Sequence, residues 1–201
     1  MAQVFAADEQ GGDTGTHVDP ARWAKLADEV LGAEGVPADA EISLLFVGPE
    51  AMAELNSRFR GAQGPTDVLA FPMDVEDLDA DEADVGPASG GGRFPDGGTT
   101  GPSTVSDRPD TSRPPYVVGD VVVCPAVAAA NAPEHKGPLH DGTLEDELAL
   151  LVVHGVLHLL GMDHAEDDEA EAMEAREREL LEKFHRRSAE PAPDSPAGAT
   201  A

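Results

Sequence analysis

The feature that most constrains this chain is HGVLHLLGMDH, residues 154 to 164, which closes the longest apolar stretch, LALLVVHGVLHLLGM from Leu148 to Met162. A bilayer span needs roughly 20 apolar residues, so the shorter stretch here reads as a buried helix of a globular core. Residues four apart share one face of an α-helix, which sets the imidazoles of His154 and His158 side by side. Gly161 stands where helices commonly end on a left-handed residue, and the chain beyond it turns so that His164 brings a third nitrogen from another direction. A single histidine on an apolar face is more often a satisfied core residue. Of the seven histidines, three fall within eleven positions, and unpaired imidazoles are costly to bury, so the group points to a metal ion. Three protein ligands leave one tetrahedral position for a water whose pKa falls toward about 7, the arrangement of a catalytic zinc site.

The skeleton H-x-x-x-H-x-x-G-x-x-H is shared with the metzincin peptidases, in which a glutamate after the first histidine is the general base. Here that residue is Gly155. A missing general base typically costs a factor of about 10²–10⁴, which weighs against peptide hydrolysis.

The remaining sequence supplies a scaffold. Asp19-Pro20 has the form of an N-cap and first-turn proline, and Trp23, Leu26, Val30 and Leu31 follow at helical spacing, predicting a helix to about Gly32. EISLLFV, from Glu41 to Val47, reads as a buried strand stopped by Gly48-Pro49, with a second helix over PEAMAELNSRFR. TDVLAF, Thr66 to Phe71, and the β-branched YVVGDVVVC, Tyr116 to Cys124, read as neighbouring strands. A short alanine-rich helix follows Pro125, then a polar loop through His135 and Gly137. Thr143 caps the long histidine-bearing helix, whose first turn carries Glu145, Asp146 and Glu147. A charge-rich helix is predicted from about Glu166 to Phe184. The expectation is an α+β fold: a small mixed sheet of about four strands packed with helices, the metal at the end of the long central helix.

One domain spanning residues 1–185 is expected, interrupted at about 74–114 by an insertion. Asp74 to Asp110 holds ten acidic and two basic residues with runs of glycine and scattered proline, a composition that cannot bury enough apolar surface to order itself. The Ala-, Pro- and Ser-rich tail over 186–201 is expected to be disordered as well.

The formal net charge of -27 argues against non-specific adhesion to nucleic acid, DNA included, or to an anionic membrane. The acid is unevenly placed, however. The insertion carries ten acidic residues, and Glu166 to Glu182 carries nine against two arginines. Screening confines each charge to about 10 Å at moderate salt, so Arg58, Arg60, His135 and Lys136 are left to make a locally positive groove. The single cysteine, Cys124, excludes an internal disulfide and reads as a small buried hydrophobe, with a fourth ligand role a minor alternative. MAQVFAADEQ lacks the basic start and apolar run of a signal peptide, so the cytoplasm is expected.

HGVLHLLGMDH resembles the H-G-x-L-H-L-x-G-x-D-H signature of the bacterial YbeY endoribonucleases. ELNSRFRG, PTDVLAFP and GDVVVCP resemble further blocks of that family, in order along the chain. The resemblance implies a zinc-dependent endoribonuclease, specific for single-stranded RNA, that acts in small-subunit ribosomal RNA 3′-end maturation and ribosome quality control. It implies one Zn2+ per chain on His154, His158 and His164, ribosomal RNA and the ribosome or its small-subunit proteins as partners, and a functional role for Arg60. A planar guanidinium donating two parallel hydrogen bonds suits the charge that builds on a phosphodiester's non-bridging oxygens. Without the resemblance, Arg60 reads rather as a solvated cation near a helix C-terminus. Asp163 reads as a carboxylate partner of an imidazole or as a turn cap, and Thr66 and Asp67 as a family block or a simple turn. Two alternatives stand beside this function: a non-catalytic ribosome-assembly factor with a structural zinc, and a metallohydrolase of another substrate such as peptide.

Overall fold

The computed structural model describes residues 2–11, 16–73, 116–162 and 167–186. The acidic insertion, the tail beyond Arg186, Asp163 and His164 lie outside them. Arg186, expected as the first residue of the tail, instead closes the last helical turn and donates hydrogen bonds to Leu139 O and Asp141 Oδ2, both at 3.2 Å.

The elements run β1 (Gln3–Glu9), α1 (Pro20–Ala33), β2 (Ala40–Val47), α2 (Pro49–Arg60), β3 (Val68–Pro72), β4 (Tyr116–Val123), α3 (Pro125–Asn131), a 3-10 turn (Ala132–His135), α4 (Leu144–Leu159), α5 (Asp167–Leu180) and a π-helical turn (Leu181–Arg186). The strands form one mixed sheet in the order β1-β2-β4-β3. β1 and β4 both run parallel to β2, and β3 runs antiparallel to β4, pairing Val68 with Val123 through Pro72 with Gly119. The expected sheet of about four strands, with β3 and β4 adjacent, is therefore present.

Side-chain alternation distributes β2, β3 and β4 between two cores. Ile42, Leu44 and Phe46 of β2, with Val121 and Val123 of β4, join the large core that includes Trp23, Val30 and Leu31 of α1 and Val152, Val156 and Leu157 of α4. Val47, Leu69, Val122 and Cys124 point the other way and pack with Met52 of α2. α4 is buried almost all round, from Leu148 to Leu159, as a helix in the middle of a domain must be. Local chemistry fixes its ends. The Thr143 hydroxyl accepts from the Asp146 amide at 3.1 Å. At the other end Gly161, at φ 84°, donates to His158 O at 3.0 Å, and Met162 N donates to Leu157 O at 3.1 Å. This pair of bonds is a Schellman motif, and it stops the helix one residue past the second histidine.

β1 was not anticipated. It is an edge strand with no fully buried residue, so it lacks the apolar run that marks the interior strands.

Candidate active site

His154 and His158 project from the last turns of α4 onto a cleft of about 550 Å³ that runs along β3, the outer strand of the sheet. The opposite wall carries Phe59 and Arg60 at the C-terminal end of α2, and Thr66, Asp67 and Phe71 line the cleft between. Three of the residues singled out from the sequence, Arg60, His154 and His158, thus share one cleft. The fourth, His164, lies outside the described residues.

The two imidazoles converge. His154 Nε2 and His158 Nε2 are 3.0 Å apart, with ring planes at 85°. A zinc ion bonded to two imidazoles at about 2.0–2.1 Å in tetrahedral geometry holds the two nitrogens about 3.3 Å apart. The observed pair sits close to that separation, and nitrogen donors suit zinc among the divalent metals. Among the described residues no group of three or more metal-ligating side chains forms.

The other side of His154 has a partner that sequence reasoning did not single out. Its Nδ1 lies 2.6 Å from Oε1 of Glu177, on α5. With Nδ1–H donating to that carboxylate, the Nε2 lone pair faces His158, the tautomer a metal ligand requires. Glu177 is 9% exposed. The signal was present in the sequence: buried positions on the final helices are Met173, Glu177, Leu180 and Leu181, so an acid occupies one place in an otherwise apolar stripe. Nine acids between Glu166 and Glu182 concealed it.

Gly155 packs where no side chain fits. A Cβ built there would lie 2.6 Å from Val121 Cγ1. The absence of a glutamate after the first histidine is thus also a packing requirement, because Val121 of β4 occupies that space.

Asp67 is committed to structure. Its Oδ1 accepts from the Val68 amide at 2.8 Å and the Thr66 hydroxyl at 3.1 Å, its Oδ2 accepts from Asn131 Nδ2 at 3.1 Å, and its carbonyl accepts from the Cys124 amide at 2.7 Å. These hydrogen bonds describe the structural role read for Thr66-Asp67. Cys124 is fully buried in the smaller core, and burial pushes its thiol above the ordinary value.

The groove of Arg58, Arg60, His135 and Lys136 needs correction. His135 bonds to Glu147 at 2.9 Å near the start of α4, and His140 Nε2 lies 3.0 Å from the same fully buried carboxylate. That is seven to eleven residues, or roughly 10–16 Å of helix, from the paired histidines. Among the described residues Arg60 lines the cleft, and Arg58 stands beside it with its guanidinium over the Phe59 ring at 5.2 Å. Both arginines lie in the last turn of α2, where the helix dipole favours cations.

These features define a class: a mixed α/β protein with a paired-histidine centre and an arginine across one cleft. The family model Endoribonuclease YbeY matches residues 10–185, and the chain belongs to that family. It is similar to the Endoribonuclease YbeY of Mycolicibacterium vanbaalenii, 40% identical over 88% of this chain and 79% of that one. It is also similar to those of Thermobifida fusca, 39% identical over 87% and 91%, and Beutenbergia cavernae, 41% identical over 83% and 89%. Among solved structures it shares the fold of TM1509 from Thermotoga maritima, with a TM-score of 0.51, 24% identity and full coverage of both chains.

Proposed function

We propose that this protein is a zinc-dependent endoribonuclease that cleaves single-stranded RNA in small-subunit ribosomal RNA 3′-end maturation and in ribosome quality control. The observation that carries the chemistry is the convergence of two imidazole Nε2 atoms, 3.0 Å apart, on a cleft that also holds Arg60. The family membership of residues 10–185 carries the choice of RNA over other substrates.

In this reading His154, His158 and His164 hold one Zn2+. The bound ion supplies Lewis acidity at this end of the cleft. Glu177 keeps the His154 proton on Nδ1. Arg60 donates paired hydrogen bonds to the non-bridging oxygens of the scissile phosphate and stabilises the charge that develops there. Asp67, whose carboxylate accepts from the Val68 amide, the Thr66 hydroxyl and Asn131, orients the start of β3. The acid elsewhere on the chain makes binding of free RNA weak and leaves the ribosome or its small-subunit proteins to supply the rest of the attraction. The cytoplasm is the compartment this role requires; among the described residues no helix is long and apolar enough to cross a membrane.

The test is cleavage of end-labelled single-stranded and duplex RNA by wild type, His158→Ala and Arg60→Ala. Single strands alone are cut, and Arg60→Ala loses roughly 10²–10³-fold in rate, as removal of one charge-stabilising donor does elsewhere. Equal cleavage by all three proteins would overturn the assignment.

A further inference from the structure

Four large apolar side chains are exposed among the described residues: Phe5, Phe59, Met73 and Val117. Phe59 alone of these lines the cleft that holds the paired histidines. It is 54% exposed in a chain with only 4% aromatic residues. Its ring is braced from one side by Phe71 of β3, centroids 4.8 Å apart at an interplanar angle of 63°. Backbone continuity fixes it directly before Arg60.

We infer that Phe59 is a stacking platform for an unpaired nucleobase next to the scissile phosphate. This rests on the reading of the cleft as an RNA site. An exposed aromatic ring beside a guanidinium is the pairing with which proteins hold single strands: the cation takes the phosphate and the ring takes the base. The edge-on contact with Phe71 restricts the ring, so little side-chain freedom is lost when a base arrives. The Arg58 guanidinium now over the ring makes an exposed cation–π contact, which is weaker than a base stack. An incoming base therefore displaces Arg58, and the freed cation is left to meet the backbone. Bases in a duplex are stacked on each other and have no face to offer, so the platform selects single strands without reading sequence.

Steady-state cleavage by wild type, Phe59→Ala and Phe59→Trp tests this, using single-stranded RNA intact or with one abasic residue placed in turn near the cut. Phe59→Ala raises KM roughly 5- to 100-fold with little change in kcat, the range that loss of a base stack produces. Phe59→Trp keeps KM at or below the wild-type value. One abasic position raises KM for wild type by a similar factor and has no effect on Phe59→Ala. A 2-aminopurine at that position is quenched on binding to wild type and not to Phe59→Ala, a readout independent of cleavage. Wild-type KM in Phe59→Ala, or equal quenching in both proteins, would overturn the platform. Absence of RNA cleavage by wild type would instead overturn the endoribonuclease reading, with the quenching comparison still deciding the platform.

Discussion

The Nδ1 nitrogen of His154 lies 2.6 Å from the Glu177 carboxylate, which joins the centre of α4 to α5 across 23 residues of sequence. It is the contact through which the last helix acts on the cleft, and it makes α5 part of the site rather than a surface appendage.

On the proposed reading of the site, removing that carboxylate lowers zinc affinity without removing a ligand. Glu177→Ala weakens binding by about 10–100-fold, the usual effect of losing a carboxylate behind a metal-ligating histidine, while Glu177→Gln, which still accepts from Nδ1–H, loses less. Competition with a fluorescent chelator measures this, and equal affinity in all three proteins would contradict it.

Gly155→Ala sets two effects against each other. Alanine in place of a helical glycine gains about 0.8–1.0 kcal/mol of propensity. Overpacking costs about 1–3 kcal/mol, and the upper part of that range applies because Val121 is a stiff β-branched residue in the sheet with its methyls 2.6 and 3.2 Å from the new carbon. The net is a destabilisation of about 1–2 kcal/mol, read from urea denaturation. Gly155→Ala with Val121→Ala behaves less than additively. A stabilised Gly155→Ala would show that helix propensity wins.

Acid sensitivity traces in part to Asp146. Burial raises its carboxyl, but hydrogen bonds from His185, the Asp141 amide and the Thr143 hydroxyl outweigh burial and hold it below the ordinary value. A folded-state pKa below the unfolded one stabilises above the unfolded value, about 3.9, and that contribution is lost as pH falls through the folded value. The stability gap between wild type and Asp146→Asn is therefore constant between about pH 5 and 4.5 and narrows below about pH 4. A gap independent of pH in that range would contradict the hydrogen bonding seen here.

Cys124 is predicted to be inert in the folded protein, since it is fully buried and its thiol is raised by that burial. Reaction with a disulfide reagent follows unfolding; rapid labelling of native protein would contradict its placement.

Much of this fold was legible because strong local signals coincide with real boundaries. Proline, glycine and threonine punctuate the chain where α1, α2 and α4 begin and where α4 ends, so α2 at Pro49–Arg60 matches its sequence reading residue for residue. β1 was not legible because an edge strand needs no apolar run, and its pairing with β2 is a tertiary choice. In the cleft, His154 and His158 were legible from type and spacing, and Arg60 only through the family resemblance. Glu177 and Phe59 were not, since an acid among many acids and one phenylalanine in a short helix gain meaning only from what faces them. His135 shows the converse: a histidine available in sequence is spoken for in space by Glu147.

The central claim is that the paired imidazoles of α4 hold one metal ion. Elemental analysis of purified protein, with His154→Ala and His158→Ala measured alongside, tests it most directly. The expected result is one zinc per chain in the wild type and loss of it in both variants, each remaining folded by circular dichroism. A folded wild type that takes up no stoichiometric metal, or variants that retain it in full, would contradict the account.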